Sequence, residues 1–202
     1  MKKIIFIIYL FTICFTAYGQ VEYDYYEISA GKQKEKHKIE ISDKKGKIDE
    51  IYIYTRPMDK LYDNTVLIVN SKDLNTLVDY LKFVNTKFIE WSKTAEDNNI
   101  KQLEKDIDAD LKDKYMFAFG NNDWHFARGV KLKSRFEVND REPSITVYSG
   151  MVYSSTNSYI DSYGVFLTFA SPEDLNNFIN KLDIFKMQEV LNKKSSTENL
   201  FN

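Results

Sequence analysis

Two separated stretches of the chain share one order of apolar and polar positions. VLIVNSKDLNTLVDYLKF, beginning at Val66, is matched by VFLTFASPEDLNNFINKL, beginning at Val165. Each reads as a short apolar strand, a serine and an amphipathic helix. Ser71 and Ser171 are expected to cap those helices, because a serine oxygen there accepts a hydrogen bond from an unpaired N–H of the first turn. Pro172 suits a first helical position, and Asp73, Glu173 and Asp174 place negative charge at the positive end of the helix dipole. Leu74, Leu77, Val78 and Leu81 recur at helical spacing, as do Leu175, Phe178, Ile179 and Leu182. Each helix must therefore bury one face, and the apolar side of a sheet fed by the preceding strand is the natural partner. A functional repeat would build a pseudo-symmetric saddle or cleft; the plainer reading is a common strand-cap-helix unit arising twice.

The first helical pattern continues through Phe88, Trp91 and Ala95 to about Asp97, with a bend expected near Asn85, and Asn98 and Asn99 end it. Ile100, Leu103, Ile107 and Leu111 then predict a further helix with a charged outer face. The remainder reads as strand. KIEIS and DEIYIYT flank a hairpin turn at Lys44-Lys45-Gly46, VEYDYYEIS adds an edge strand, and YMFAF follows from Tyr115. VKLKSRFEV, SITVYSGMVYSS and SYGVFLTFA, from Val130, Ser144 and Ser162, complete the set. Val130, Leu132 and Phe136 alternate with Lys131, Lys133 and Arg135, giving one dry and one wet face. The expected fold is α+β: an antiparallel β-sheet with two or three helices packed on one face. The polar tail KKSSTENLFN, residues 193–202, is expected to be disordered.

The chain opens MKKIIFIIYLFTICFTAYGQ. Lys2 and Lys3 precede an apolar run from Ile4 to Ala17, shorter than the ~20 residues that span a bilayer, and Ala17-Tyr18-Gly19 supplies small residues for a signal peptidase. Residues 1–19 are read as a cleaved signal peptide, in preference to a retained anchor or a buried first helix, and residues 20–192 as a single domain. Ile13 before Cys14 is too bulky for a lipid-attachment signal. Loss of Lys2 and Lys3 takes the formal net charge from −2 to −4. A mildly acidic domain has no general attraction to nucleic acid or anionic lipid, and no stable membrane anchor is expected after cleavage. Cys14 is the only cysteine, so stability must come from a core to which 14 Phe and 14 Tyr contribute. These features point to the periplasm or exterior of a bacterium.

Several chemistries are disfavoured by spacing. The sparse glycines form no phosphate loop. DIDADLKDKYMF, from Asp106, has acids at alternate positions like a calcium loop but lacks its glycine and ends on Phe117 instead of Glu. His37 and His125 are too few for a nitrogen-rich zinc site, and no G-x-S-x-G nucleophile turn occurs. No cofactor and no metal are expected.

Two segments attract attention. GNNDWHFARG, Gly120 to Gly129, is expected to link two strands. Asn121, Asn122 and Asp123 would make the turn by bonding to their own backbone, with Trp124 and Phe126 as anchors, and Trp124, His125 and Arg128 would offer recognition groups. Asp123 and His125 would be the pair for a hydrolase, the least favoured reading. The tyrosine-rich zone from Tyr148 to Tyr163 is expected to form a long hairpin turning at Ser154 to Ser158, with Tyr153 and Tyr159 displayed. The leading expectation is an exported, non-enzymatic binding protein acting on another protein, such as an inhibitor or immunity factor; the alternative is an envelope carrier of a small ligand.

Overall fold

Side chains along a strand alternate between its two faces, so an antiparallel sheet sorts a sequence into dry and wet sides. The computed structural model describes residues 19–30, 33–58, 60–109, 111 and 114–198, and the expected signal peptide lies outside them apart from Gly19. The strands in chain order are β1 (Val21–Ala30), β2 (Gln33–Lys44), β3 (Lys47–Thr55), β4 (Asn64–Asn70), β5 (Gln102–Ile107) and β6 (Tyr115–Gly120), then β7 (Trp124–Val130), β8 (Lys133–Asn139), β9 (Glu142–Tyr148), β10 (Val152–Tyr153), β11 (Asp161–Ser162) and β12 (Phe166–Phe169). The helices are α1 (Leu74–Asp97), α2 (Pro172–Lys181) and α3 (Ile184–Glu198).

A six-stranded sheet runs in the order β1-β2-β3-β4-β6-β7, and a four-stranded sheet in the order β12-β9-β8-β5. β10 and β11 form a separate pair. All pairings are antiparallel. The inner face of the larger sheet is built from Ile39, Ile53, Leu67 and Phe117, which stand opposite one another across neighbouring strands. The smaller sheet turns Phe136, Val138, Ile145 and Phe169 inward, and all of these join the helices in one core. Val130, Leu132 and Phe136 are buried as the alternation predicts.

α1 lies on β8 and β9 and against α2; α2 packs on β1 and β12; α3 packs on β3 and β1. Ser171 caps α2 as expected, accepting from Asp174 N–H at 3.1 Å. The parallel expectation for Ser71 is corrected: Asn70 accepts from Lys72 N–H, and Ser71–Asp73 forms a single 3₁₀ turn before α1. Asparagine is as good a cap as serine, and one residue earlier it makes room for the tighter turn.

The predicted helix at Ile100 to Leu111 is replaced by β5, an edge strand paired with β8. Residues 193–198 of the polar tail continue α3 to Glu198, and the rest of the tail lies outside the described residues. The Lys44-Lys45-Gly46 hairpin forms as read, with Lys45 and Gly46 both at positive φ (57° and 75°) and Lys44 paired with Lys47. That is the turn whose twist matches flanking strands. Asp140 and Arg141 make the same kind of turn between β8 and β9, at φ 51° and 74°.

Gly164, at φ +77°, precedes β12 where the chain crosses Ser149 and Gly150. A methyl group there would meet the Ser149 hydroxyl and the Gly150 carbonyl oxygen. Gly164→Ala adds a left-handed penalty to that overlap and is expected to cost about 3 kcal/mol, read as a lowered urea midpoint.

Candidate functional site

The outer face of the six-stranded sheet is assembled from residues that alternate with the core. Tyr52 and Tyr54 alternate with Ile51 and Ile53 on β3, Val66 and Ile68 with Leu67 and Val69 on β4, and Met116 and Ala118 with Phe117 on β6. Registry then aligns them in rows. Tyr54, Val66, Ala118 and Phe126 lie side by side across four strands, and Tyr52, Ile68, Met116 and Arg128 form the adjacent row. Val66, Ile68 and Ala118 are buried by these neighbours as a cluster separate from the main core, with Tyr52, Tyr54 and Met116 packed against it. Trp124 and Phe126 stay 40% and 42% exposed beside it. Among the described residues, no helix side chain belongs to this outer cluster.

The face is held rigid by a charged flank. Tyr52 donates its hydroxyl to Glu50 and Tyr54 to Glu40, at 2.6 and 2.7 Å. Lys38 binds the same Glu40 at 2.6 Å and lies over the Tyr54 ring at 4.1 Å. Partial burial first, and then these carboxylates, raise both phenols above their ordinary value. Each ring is thereby fixed in place. A hollow of about 200 Å³ lies between Gln20, Tyr52, Tyr54, Trp124 and Phe126, floored by Val66, Ile68 and Ala118.

The structure divides the residues expected from GNNDWHFARG. Asn121, Asn122 and Asp123 form the exposed bend, while Trp124 onward is strand, not linker. Strand alternation sends Trp124, Phe126 and Arg128 outward and His125 and Ala127 to the other side. The His125 ring packs against Phe119 at 5.6 Å and Tyr62 at 6.5 Å. Asp123 remains in the bend, so this pair has the geometry of a turn and a packed ring.

The tyrosine-rich zone is brought alongside: Ser155 N–H donates to the Phe126 carbonyl at 2.7 Å, and Arg128 N–H donates to the Ser155 hydroxyl at 3.1 Å. These bonds partly cover the open edge of β7, which would otherwise invite strand addition. The expected hairpin is present but short, with β10 and β11 joined through residues 154–160. Tyr153 and Tyr159 are 53% and 95% exposed on it.

Sequence reasoning placed Asn121 in the turn but missed its bonds to the preceding loop, where it accepts from Asp63 N–H and donates to the Leu61 carbonyl. It also missed Tyr52, Tyr54 and Met116. The available signal was an unbroken apolar and aromatic run, such as Ile51 to Tyr54 within DEIYIYT, which means that neither face is left simply to water.

His37 is half-buried against the Tyr26 ring at 5.9 Å. Burial lowers its pKa below the ordinary 6.5, overriding the opposing pull of Glu35, whose carboxylate is 3.6 Å away. The unfolded chain therefore binds more protons below pH 6.5 than the folded one, so this contribution to stability is present above 6.5 and lost as pH falls. An NMR titration of His37 should give a midpoint below 6.5, and His37→Gln should flatten the loss of stability between about pH 7 and pH 5.

Fold and face together define an α+β protein with two main antiparallel sheets, a two-stranded pair and an aromatic surface on the largest sheet. Compared with known proteins, the chain matches no protein-family model, no curated sequence and no solved structure. Among the described residues, no group of three His, Cys, Asp or Glu side chains is placed to hold a metal, and no helix is long and apolar enough to cross a membrane.

Proposed function

We propose that this chain is an exported, non-enzymatic binding protein that engages another protein through the outer face of its six-stranded sheet, in the manner of an inhibitor or immunity factor. The observation that carries the reading is the helix-free group of Tyr52, Tyr54, Met116, Trp124 and Phe126 on neighbouring strands, with Arg128 at its edge. Trp, Tyr and Arg dominate the energetics of protein interfaces. Rings already locked by Glu40 and Glu50 lose little freedom on binding, which is where association otherwise loses much of its gain. The test is site-specific photocrosslinking in the native envelope. A crosslinker at Phe126 should capture one discrete partner, whereas one at Phe185, exposed on α3, should not. Equal labelling from both positions would count against the face.

The carrier reading is favoured by a cleft of about 550 Å³ between β1 and α2. Tyr26 and Phe178 line it, and Lys181 is paired with Asp24 at 2.8 Å along it. That volume suits a small ligand. Native mass spectrometry of protein from its own source should then show a bound mass, and repeated empty spectra would remove this reading.

A further inference from the structure

We infer that Gln20, once exposed as the first residue, closes into a pyroglutamyl ring that becomes part of the aromatic face. The inference rests on the proposed cleavage after Gly19. Three features support it. Gln20 is exposed and outside regular structure, and the β1 ladder begins one residue later with Val21 opposite Ile41. Ring closure uses only the α-nitrogen and the side chain of Gln20, so no ladder hydrogen bond has to break. The position is also set: Gln20 lines the hollow with Tyr52, Tyr54, Trp124 and Phe126.

The chemistry needs no co-reactant. The uncharged α-amine attacks Cδ of its own side chain, a C–N bond forms, and the bond from Cδ to Nε2 breaks. The departing nitrogen takes up the proton lost by the α-amine and leaves as ammonia. Cleavage would otherwise place an ammonium group, ordinarily titrating near 8, beside an apolar hollow. Part of that group is uncharged near neutral pH, which supplies the nucleophilic amine. The product is a neutral lactam whose ring methylenes extend the apolar surface where the ammonium would have interrupted it.

The experiment uses mature protein purified from its native source, examined by intact mass and Edman sequencing. The expected result is a chain beginning at residue 20, lighter by one ammonia and blocked to Edman degradation until treated with pyroglutamyl aminopeptidase. A Gln20→Ala variant processed at the same bond should be open to sequencing. A chain beginning at Gln20 with full mass and a readable amine would overturn the inference while leaving the cleavage reading intact. A chain that keeps Met1, or begins elsewhere, overturns both.

Discussion

Replacing Trp124 by alanine should weaken partner binding by at least roughly 30-fold, about 2 kcal/mol, the loss that marks an interface hot spot. Stability should stay within about 0.5 kcal/mol of the parent, because the side chain is substantially exposed and surface changes of this kind rarely cost more. Phe126→Ala should lose a similar amount. The double variant should fall short of the sum, since both rings border the same hollow. Tyr54→Phe tests the locking argument separately: it keeps the ring but removes the hydrogen bond to Glu40, so a smaller loss, expressed mainly as faster dissociation, is expected. The exposed Phe185→Ala is the control and should bind as the parent does. Normal affinity in both Trp124→Ala and Phe126→Ala would place the interface elsewhere.

What could be read from sequence followed the range of the interaction involved. α1 and α2 were legible because their apolar positions repeat at helical spacing and their ends carry local signals, down to Ser171 and Pro172. β5 was misread for a definite reason. Leu103, Ile107 and Leu111 are four residues apart, and a spacing of four keeps side chains on one face of a strand as well as on one face of a helix. Only the partner strand resolves that ambiguity, and β8 is supplied by a later part of the chain. Asn99, at φ 51°, ends α1 and starts the chain toward that pairing.

The candidate face shows the same limit. Trp124 stood out by type, but its companions Tyr54, Val66 and Ala118 come from three other strands, and only the order β3-β4-β6-β7 makes them neighbours. His125 was grouped with Trp124 because the segment was read as a loop, where adjacent residues can point together. As a strand, the same residues must point apart.

The largest effect on stability is expected from Phe136→Ala. Phe136 is fully buried on β8, an interior strand of the four-stranded sheet, and packs edge-on to Phe88 at 6.0 Å and Trp91 at 5.8 Å on α1. It therefore joins the long helix to the smaller sheet, and truncation removes both ring contacts and leaves a cavity, a change that costs about 3–5 kcal/mol. Domains are stable by only about 5–15 kcal/mol. With Cys14 the sole cysteine of the whole chain, no intramolecular disulfide restricts the unfolded state. The variant should show a much lower urea midpoint with an unchanged slope, and altered fluorescence from Trp91, which loses its ring partner. Phe136→Leu, which refills part of the space, should recover at least half of the loss. Phe166→Ala, a partly exposed site on β12 facing the other side of the same sheet, should cost far less. A loss below about 1 kcal/mol in Phe136→Ala would mean that α1 is not seated on this sheet, and the shared core that rigidly backs the aromatic face would have to be redrawn.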